Sequence, residues 1–302
     1  MGPEALRGSL VPLVTPFEQG RIDDRRFAEL IHWQIDCGSH GIVVAGTTGE
    51  PGALSAEERE GLIDLAVRTA RKRVPVVAAT GTNNHDETLR LTRFASRAGV
   101  DAALIVVPYY IRPAQEGLYR HFRTIADAVE IPIILYNIPG RAAANLEPET
   151  IAALARDCRN IIGVKEANKD FEHTNRVLHL CGRSFLVFSG IEMLCFPMLA
   201  IGGSGHVSAT GNVLPREVAR LYDLCAAGKW EEARELHYAL LPMNEALFIE
   251  TNPVPVKTAL GLMGKIIPEV RLPLVAMSEA HTAELREVMR RYGLLTERAT
   301  AT

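Results

Sequence analysis

The chain has 302 residues, of which 47% are hydrophobic and 23% are charged, and its formal net charge is −3. This composition is typical of a globular protein with a large core, and the small net charge gives no reason to expect binding to nucleic acid or to a membrane. The sequence shows neither a secretory leader nor an apolar run long enough to span a membrane, so we predict a cytoplasmic protein.

The spacing of cysteines and histidines argues against a metal site. The five cysteines include no CxxC pair, and their odd number is typical of reduced thiols in a cytosolic protein. The sequence also contains no HExxH motif, no zinc-finger spacing and no Walker A motif. We therefore predict no bound metal ion.

Eight short runs rich in β-branched residues recur along the chain and predict eight strands. Most of these runs are continuously apolar, which is typical of strands that are buried on both faces. The predicted strands lie near Leu10 and start at Gly41, Val74, Ala102, Ile131, Asn160, Phe185 and Gly203.

Stretches with helical periodicity separate many of these strands. Ser55, followed three residues later by Glu58, is a capping box that predicts the start of a helix. Similar amphipathic stretches begin with acidic or Asn residues and end at Gly or Cys, over 23–38, 84–99 and 147–158. Strand and helix alternate with a period of about 30 residues, which is typical of βαβ units in a parallel sheet.

Eight such units predict an α/β fold, a closed (β/α)8 barrel of the TIM type, over residues 1–212. The alternative is an open doubly wound sheet, but the strand count and the lack of a GxGxxG motif after the first strand argue against it. After residue 212 the strand patterns stop, so residues 213–302 are predicted to be a C-terminal helical extension that completes the barrel and packs on it.

The carboxyl ends of the predicted strands carry the candidate site, because active sites of such barrels lie there. Thr47 and Thr48 follow the second strand, Tyr110 follows the fourth, Tyr136 ends the fifth and Lys165 lies in the sixth. These side chains are therefore expected to meet at one end of the barrel.

Lys165 is the least expected of these residues because its strand is otherwise apolar. Burial disfavours the charged ammonium, and a neutral amine attacks a carbonyl to form a Schiff base. The alternative is a structural lysine that pairs with a buried carboxylate. Glu166 is expected to point to the opposite strand face and is therefore a poor partner.

The other strand-end residues suit the proton transfers and the anion binding that Schiff-base chemistry requires. A tyrosine beside a hydroxyl group can move protons, although a strand-end tyrosine is more often an amphipathic edge residue. Arg141 follows the fifth strand and offers a bidentate fork for a carboxylate; its alternative role is a surface salt bridge.

Five motifs in order along the chain resemble those of the dihydrodipicolinate synthase and N-acetylneuraminate lyase family. The resemblance runs from Gly8 to about Gly264. The motifs are GTTGE (46–50), PYY (108–110), YNIPGR (136–141), GVKEA (163–167) and NPVPVK (252–257).

The resemblance implies a class I aldolase, a lyase, that acts on pyruvate and needs no cofactor. Lys165 would form the imine and Tyr136 would be the general acid and base. Thr47 would link Tyr136 to Tyr110, which this family inserts from a neighbouring subunit of a tetramer built from two dimers. Thr47 and Thr48 would bind the pyruvate carboxylate, and the further expected substrate contacts are Arg141, Gly190 and Val207.

The second substrate is expected to be a semialdehyde with a carboxylate, and two candidates remain. Arg141 matches the position at which synthases of lysine biosynthesis bind aspartate semialdehyde, although Ala142 and Ile191-Glu192 depart from the usual synthase pattern. Other segments resemble a subgroup assigned as 2,4-dihydroxyhept-2-ene-1,7-dioate aldolases of 4-hydroxyphenylacetate breakdown, which release succinate semialdehyde. The segments are NHDET (84–88), GRAA (140–143), NKDFEH (168–173) and GIEMLCFPMLAIG (190–202). The synthase type comes first because every catalytic position matches it.

Two readings from other classes remain open. The glycine-rich segment 202–212, with His206, lies where many barrels bind phosphate, which is consistent with a phosphosugar enzyme. The alternative roles are close backbone packing for the glycines and a core position for His206. A non-catalytic barrel that senses pyruvate is the other reading, and the lysine, tyrosine and threonine set argues against it.

Overall fold

The structure of the protein, a computed structural model, describes residues 3–295, and it confirms the predicted TIM barrel. Eight parallel strands close into a barrel in the order β1-β10-β9-β8-β7-β6-β5-β4, and β2 and β3 form a separate antiparallel hairpin. The strands are β1 Gly8–Pro12, β2 Phe17–Glu18, β3 Arg21–Ile22, β4 Gly41–Val44, β5 Val76–Ala79, β6 Ala102–Val106, β7 Ile133–Asn137, β8 Ile161–Glu166, β9 Leu186–Ser189 and β10 Gly205–Val207.

Helices surround the barrel and form most of the chain after β10 in the described residues. They are α1 Asp24–Asp36, α2 Ala56–Ala70, α3 His85–Ala98, α4 Gln115–Asp127, α5 Pro139–Ala142, α6 Pro148–Asp157, α7 Phe171–Cys181, α8 Cys195–Ala200, α9 Pro215–Ala226, α10 Trp230–Ala246, α11 Val254–Leu262 and α12 Glu279–Arg291. A 3₁₀ turn spans Thr47–Gly49 directly after β4.

The predicted helix ends agree closely with the structure. Ser55 Oγ accepts a hydrogen bond from the Glu58 N–H at 3.2 Å, and Glu58 Oε2 accepts one from the Ser55 N–H at 2.9 Å. This reciprocal pair is the predicted capping box of α2. Gly99 ends α3 with a φ of 84°, a left-handed conformation that costs glycine little.

Some elements differ from the prediction or were not predicted. The run that predicts the strand near Leu10 continues to Phe17 in the sequence, but β1 ends at Pro12, and Phe17 instead begins the short β2-β3 hairpin. The helices α4 and α7 and the short helices α5 and α8 were not singled out in the sequence. The two short helices follow the carboxyl ends of β7 and β9, where loop geometry rather than periodicity sets the backbone.

The cores explain why the strands are apolar throughout. One cluster fills the barrel interior and includes Leu10, Val43, Phe188 and Val207, while two other clusters lie between the strands and the surrounding helices. Both faces of each strand are therefore buried, as the continuous apolar runs predicted.

The C-terminal helices pack into one further core. This cluster joins side chains of α9 to α12 to Val14 and Leu30 near the start of the chain. The division into 1–212 and 213–302 remains a prediction, and residues 296–302 of the predicted extension lie outside the described residues. None of the helices within residues 3–295 is long and apolar enough to cross a membrane.

Candidate active site

A cavity of about 430 Å³ opens at the carboxyl ends of the barrel strands. Its lining includes Thr47, Tyr109, Tyr136, Arg141 and Asn252. The volume lies within the range of small-molecule sites, and the position is that of TIM-barrel active sites.

Lys165 is buried beside this cavity, with 5% of its surface exposed. Lys165 and Tyr136 are direct partners across β7 and β8, and the lysine Nζ lies 4.0 Å from the centre of the Tyr136 ring. Among residues 3–295, Lys165 forms no ion pair with a carboxylate. The structure therefore does not support the alternative prediction that Lys165 is a structural lysine paired with a buried carboxylate.

Tyr136 connects the lysine to the threonine turn. Its hydroxyl lies 3.4 Å from Thr47 Oγ1, and either oxygen can be the donor. The phenol is 5% exposed and lies at the end of β7, so the barrel fixes its position. A hydroxyl pair beside a buried amine can carry a proton to and from a group bound at that amine.

The turn Thr47–Gly49 lies between two residues in the left-handed conformation, Ala45 and Glu50, each with a φ of 56°. Asn252 Nδ2 donates a hydrogen bond of 3.0 Å to Thr48 Oγ1, which leaves the Thr48 hydroxyl proton available for an anion. The first N–H groups of a helical turn have no partner within the turn, so this segment presents donors as well as hydroxyls.

Arg141 lies in α5 and lines the cavity with an exposed side chain. Its Nη2 donates long hydrogen bonds to Thr251 Oγ1 at 3.5 Å and to the Asn252 carbonyl at 3.4 Å. Within residues 3–295 Arg141 makes no ion pair with a carboxylate, so its alternative role in a surface salt bridge is not observed there. The guanidinium can accordingly bind the carboxylate of a ligand.

Tyr110 lies apart from the other predicted site residues. Its surface is 83% exposed and its φ is 76°, so it projects from the loop after β6. Its N–H donates to the Ala142 carbonyl at 3.1 Å, next to Arg141. Within residues 3–295 of a single chain, the Tyr136 hydroxyl is bonded to Thr47 and not to Tyr110.

Gly190 lies next to the predicted imine lysine, whereas Val207 shares the interior cluster of Tyr136. A methyl group on Gly190 would come within 2.8 Å of Lys165 Cε and within 3.0 Å of Ala167 Cβ, so glycine leaves the space that the lysine occupies. Val207 is 4% exposed and belongs to the interior cluster that contains Tyr136.

Glu166 points away from Lys165, as expected for the next residue of a strand. Its carboxylate accepts hydrogen bonds from Asn137 Nδ2 at 3.0 Å and from the Asn168 N–H at 3.1 Å, and it contacts His173 Nε2 at 3.1 Å. Burial acts to lower the pKa of His173, but the hydrogen bond and charge of Glu166 outweigh it and the pKa is raised. This network fixes the outer face of the lysine strand.

Glu192 is a buried carboxylate on the segment that follows Gly190. Only 7% of its surface is exposed, and its Oε1 accepts a hydrogen bond of 2.7 Å from the Ala209 N–H. Burial raises the pKa of Glu192, although the hydrogen bond and the charge of Lys165 act in the opposite direction. Its position was noted in the sequence only as a departure from the family pattern.

The glycine-rich segment around β10 serves backbone packing. A Cβ on Gly205 would come within 2.1 Å of the Gly8 carbonyl oxygen, and one on Gly203 within 2.8 Å of the Met198 carbonyl oxygen. His206 is fully buried and alternates with the interior residue Val207, so its ring faces outward from the barrel. The structure therefore favours the core roles over a phosphate site for this segment.

Two charged features were missed in the sequence. Lys257, in the NPVPVK motif, donates a hydrogen bond of 2.6 Å to Glu50 Oε1, and both side chains are almost completely buried. Arg59 is 4% exposed, lines the cavity and donates to the Ala79 carbonyl at 3.1 Å. In the sequence, both residues are charges at positions that helical periodicity assigns to the buried face of a helix, and this pattern could have identified them.

Comparison with known proteins identifies the family of this chain. The family model described as "Dihydrodipicolinate synthetase family" matches residues 5–292. A 4-hydroxy-tetrahydrodipicolinate synthase of Thermodesulfovibrio yellowstonii is 49% identical over 289 residues, which cover 96% of this chain and 99% of that protein.

Solved structures agree as well. The dihydrodipicolinate synthase of Aquifex aeolicus superposes with a TM-score of 0.95 at 43% identity, covering 97% of this chain and 100% of that one. A structure described as the first monomeric dihydrodipicolinate synthase variant has a TM-score of 0.94 at 39% identity, covering 96% and 98%. The chain therefore belongs to the dihydrodipicolinate synthetase family.

Proposed function

We propose that this protein is a pyruvate-dependent lyase of the 4-hydroxy-tetrahydrodipicolinate synthase type, which condenses pyruvate with a semialdehyde through an imine on Lys165. The observation that carries the proposal is a buried lysine without a carboxylate partner, 4.0 Å from the centre of the Tyr136 ring. The name of the relative that is 49% identical supports the same activity.

The first half of the reaction uses Lys165, Tyr136 and the threonine turn. Thr47 and Thr48 bind the pyruvate carboxylate with hydroxyl and N–H groups, and the Lys165 amine attacks the ketone carbon. The carbinolamine loses water to give a protonated imine, and Tyr136 accepts and returns the protons. Tyr136 then accepts a methyl proton of the bound pyruvate, and the C–H electron pair forms the enamine with the imine nitrogen as the electron sink.

The second half forms the carbon–carbon bond. The enamine carbon attacks the aldehyde carbon of the second substrate, and the aldehyde oxygen takes up a proton. The lysine amine is released when an amine or water attacks the imine carbon. Aspartate semialdehyde supplies its own amino group for that attack and cyclises, whereas succinate semialdehyde has none and requires water.

Arg141 is the proposed binding group for the second carboxylate, and we place aspartate semialdehyde first because the relative that is 49% identical carries the synthase name. Succinate semialdehyde, which a catabolic aldolase releases and would consume in the reverse direction, is the second candidate from the segment resemblances. The proposal is tested by kcat/KM for each semialdehyde at saturating pyruvate.

We expect a clear preference for aspartate semialdehyde, and Arg141→Ala is expected to lower its kcat/KM by about 10- to 100-fold while pyruvate still forms the imine. Arg112→Ala, a change of an exposed arginine on the loop after β6, is the matched control. A clear preference for succinate semialdehyde would instead assign the catabolic aldolase. Consumption of neither would contradict the synthase proposal.

We further propose a cytoplasmic homotetramer, a dimer of dimers, in which Tyr110 of one protomer reaches the Tyr136–Thr47 pair of another. The exposed, projecting position of Tyr110 supports this arrangement. Light scattering combined with activity measurements checks the assembly, and cell fractionation checks the location. Tyr110→Phe is expected to lower kcat by about 10- to 100-fold. Full activity in a demonstrated monomer would show that Tyr110 does not act across an interface.

A further inference from the structure

The turn that is proposed to bind pyruvate has a strained backbone at both ends. Ala45 and Glu50 flank Thr47–Gly49 and both have left-handed φ angles, which residues with side chains rarely adopt. Such conformations persist only where the surrounding structure imposes them. The geometry of the turn must therefore be maintained by contacts from outside it.

Glu50 receives those contacts from the C-terminal region. Its Oε1 accepts a hydrogen bond from Lys257 Nζ at 2.6 Å, and its Oε2 accepts one from the Arg271 N–H at 3.1 Å. Lys257 Nζ also lies 4.1 Å from the centre of the Phe17 ring. The Lys257 and Glu50 side chains are 0% and 1% exposed, so water cannot replace either partner.

The same C-terminal segment also contacts the turn directly. Asn252, five residues before Lys257, donates to Thr48 Oγ1, and its carbonyl accepts a hydrogen bond from Arg141. One stretch of chain thus contacts the turn proposed for the pyruvate carboxylate and the arginine proposed for the second carboxylate.

We propose that Lys257 is a positioning residue, which fixes Glu50 in its left-handed conformation and thereby sets the Thr47–Thr48 turn for the pyruvate carboxylate. Lys257 does not touch substrate in this proposal; it acts through Glu50. An apolar pair could fill the same buried volume at a lower desolvation cost, so stability alone does not account for the ion pair. We assign it the positioning of the turn instead. The inference rests on the proposed function, since it assigns the pair to the pyruvate half of that reaction.

The test uses the full-length double variant Glu50→Gln/Lys257→Met, which removes both charges together and leaves no unpaired ion in the core. Its kcat/KM for pyruvate is expected to fall by about tenfold. This factor corresponds to the free-energy cost of the left-handed conformation, which the ion pair no longer offsets at Glu50. Its kcat/KM for the semialdehyde is expected to change by less than about threefold, because that value reports steps after the imine has formed.

A rescue variant separates positioning from general stability. Asparagine tolerates the left-handed conformation better than other residues with side chains, so Glu50→Asn/Lys257→Met is expected to recover part of the pyruvate kcat/KM. Leu285→Ala is the matched control, because Leu285 is fully buried in the C-terminal core and is not one of the residues that bond Glu50. This control is expected to lower Tm without the tenfold loss.

The outcomes separate this inference from the proposed function. The proposed function fails if the wild-type protein forms no borohydride-trapped adduct with pyruvate. The positioning role fails if the wild type forms the adduct but the double variant keeps its pyruvate kcat/KM, or loses both kcat/KM values in parallel. If the double variant does not fold, Glu50→Asp is measured for the same split between the two substrates, because it keeps both charges paired and shortens the side chain that bonds Lys257 and the Arg271 N–H.

Discussion

Replacement of Lys165 by alanine is expected to lower kcat by about 10⁴-fold or more, because the nucleophile of the proposed imine is then missing. The variant is also expected to form no covalent adduct when borohydride is added with pyruvate. Mass spectrometry of the intact protein and of its peptides measures that adduct directly, and in the wild type it is expected on Lys165 alone.

Lys169→Ala is the matched control for the lysine, because Lys169 lies four residues further along and is exposed. It is expected to retain both activity and the adduct. An adduct that persists in the Lys165→Ala variant would place the imine on another lysine and would contradict the proposed mechanism. Reversible pyruvate binding to the wild type without any adduct would instead support the sensor reading.

The second large effect is expected from Gly190→Ala. The new methyl group would lie 2.8 Å from Lys165 Cε, closer than carbon atoms approach in proteins, so the end of the lysine must move. A lysine side chain moves at little cost to folding, but a displaced nucleophile loses its alignment with the ketone. A displacement of about 1 Å can cost 10²-fold in rate, and we expect a fall in kcat/KM for pyruvate of that size.

Gly61→Ala is the control for the glycine. Gly61 lies inside α2, and a methyl group there meets nothing within 4 Å. Alanine is favoured over glycine in a helix by up to about 1 kcal/mol, so this variant is expected to keep full activity and gain slightly in Tm. Near-normal kinetics of Gly190→Ala with an unchanged melting temperature would mean that the lysine position is not critical.

The fold could be predicted because its signals are local and repeated. Continuous β-branched runs identified all eight barrel strands, since a strand buried on both faces needs apolar residues at every position. Ser55 and Glu58 marked the start of α2 correctly for the same reason, because a capping box depends only on residues three positions apart.

The site was predictable only in part. Lys165 stood out because a charge in an apolar strand is costly, and the strand register then placed Tyr136 beside it. The ion pair of Glu50 and Lys257 was not predicted, since its members are 207 positions apart and nothing local joins them. Likewise the exposed position of Tyr110 depends on the left-handed loop after β6, which periodicity does not encode.

The ties between the two ends of the chain have a consequence for biosynthesis. The first barrel strand pairs with the last, and the turn after β4 is bonded to residues 207 and 221 positions further on. A chain still emerging from the ribosome therefore carries Thr47 and Lys165 before the residues that bond Glu50, next to the turn, have been made. The closed barrel and the bonded turn can therefore form only after nearly the whole chain has been synthesised.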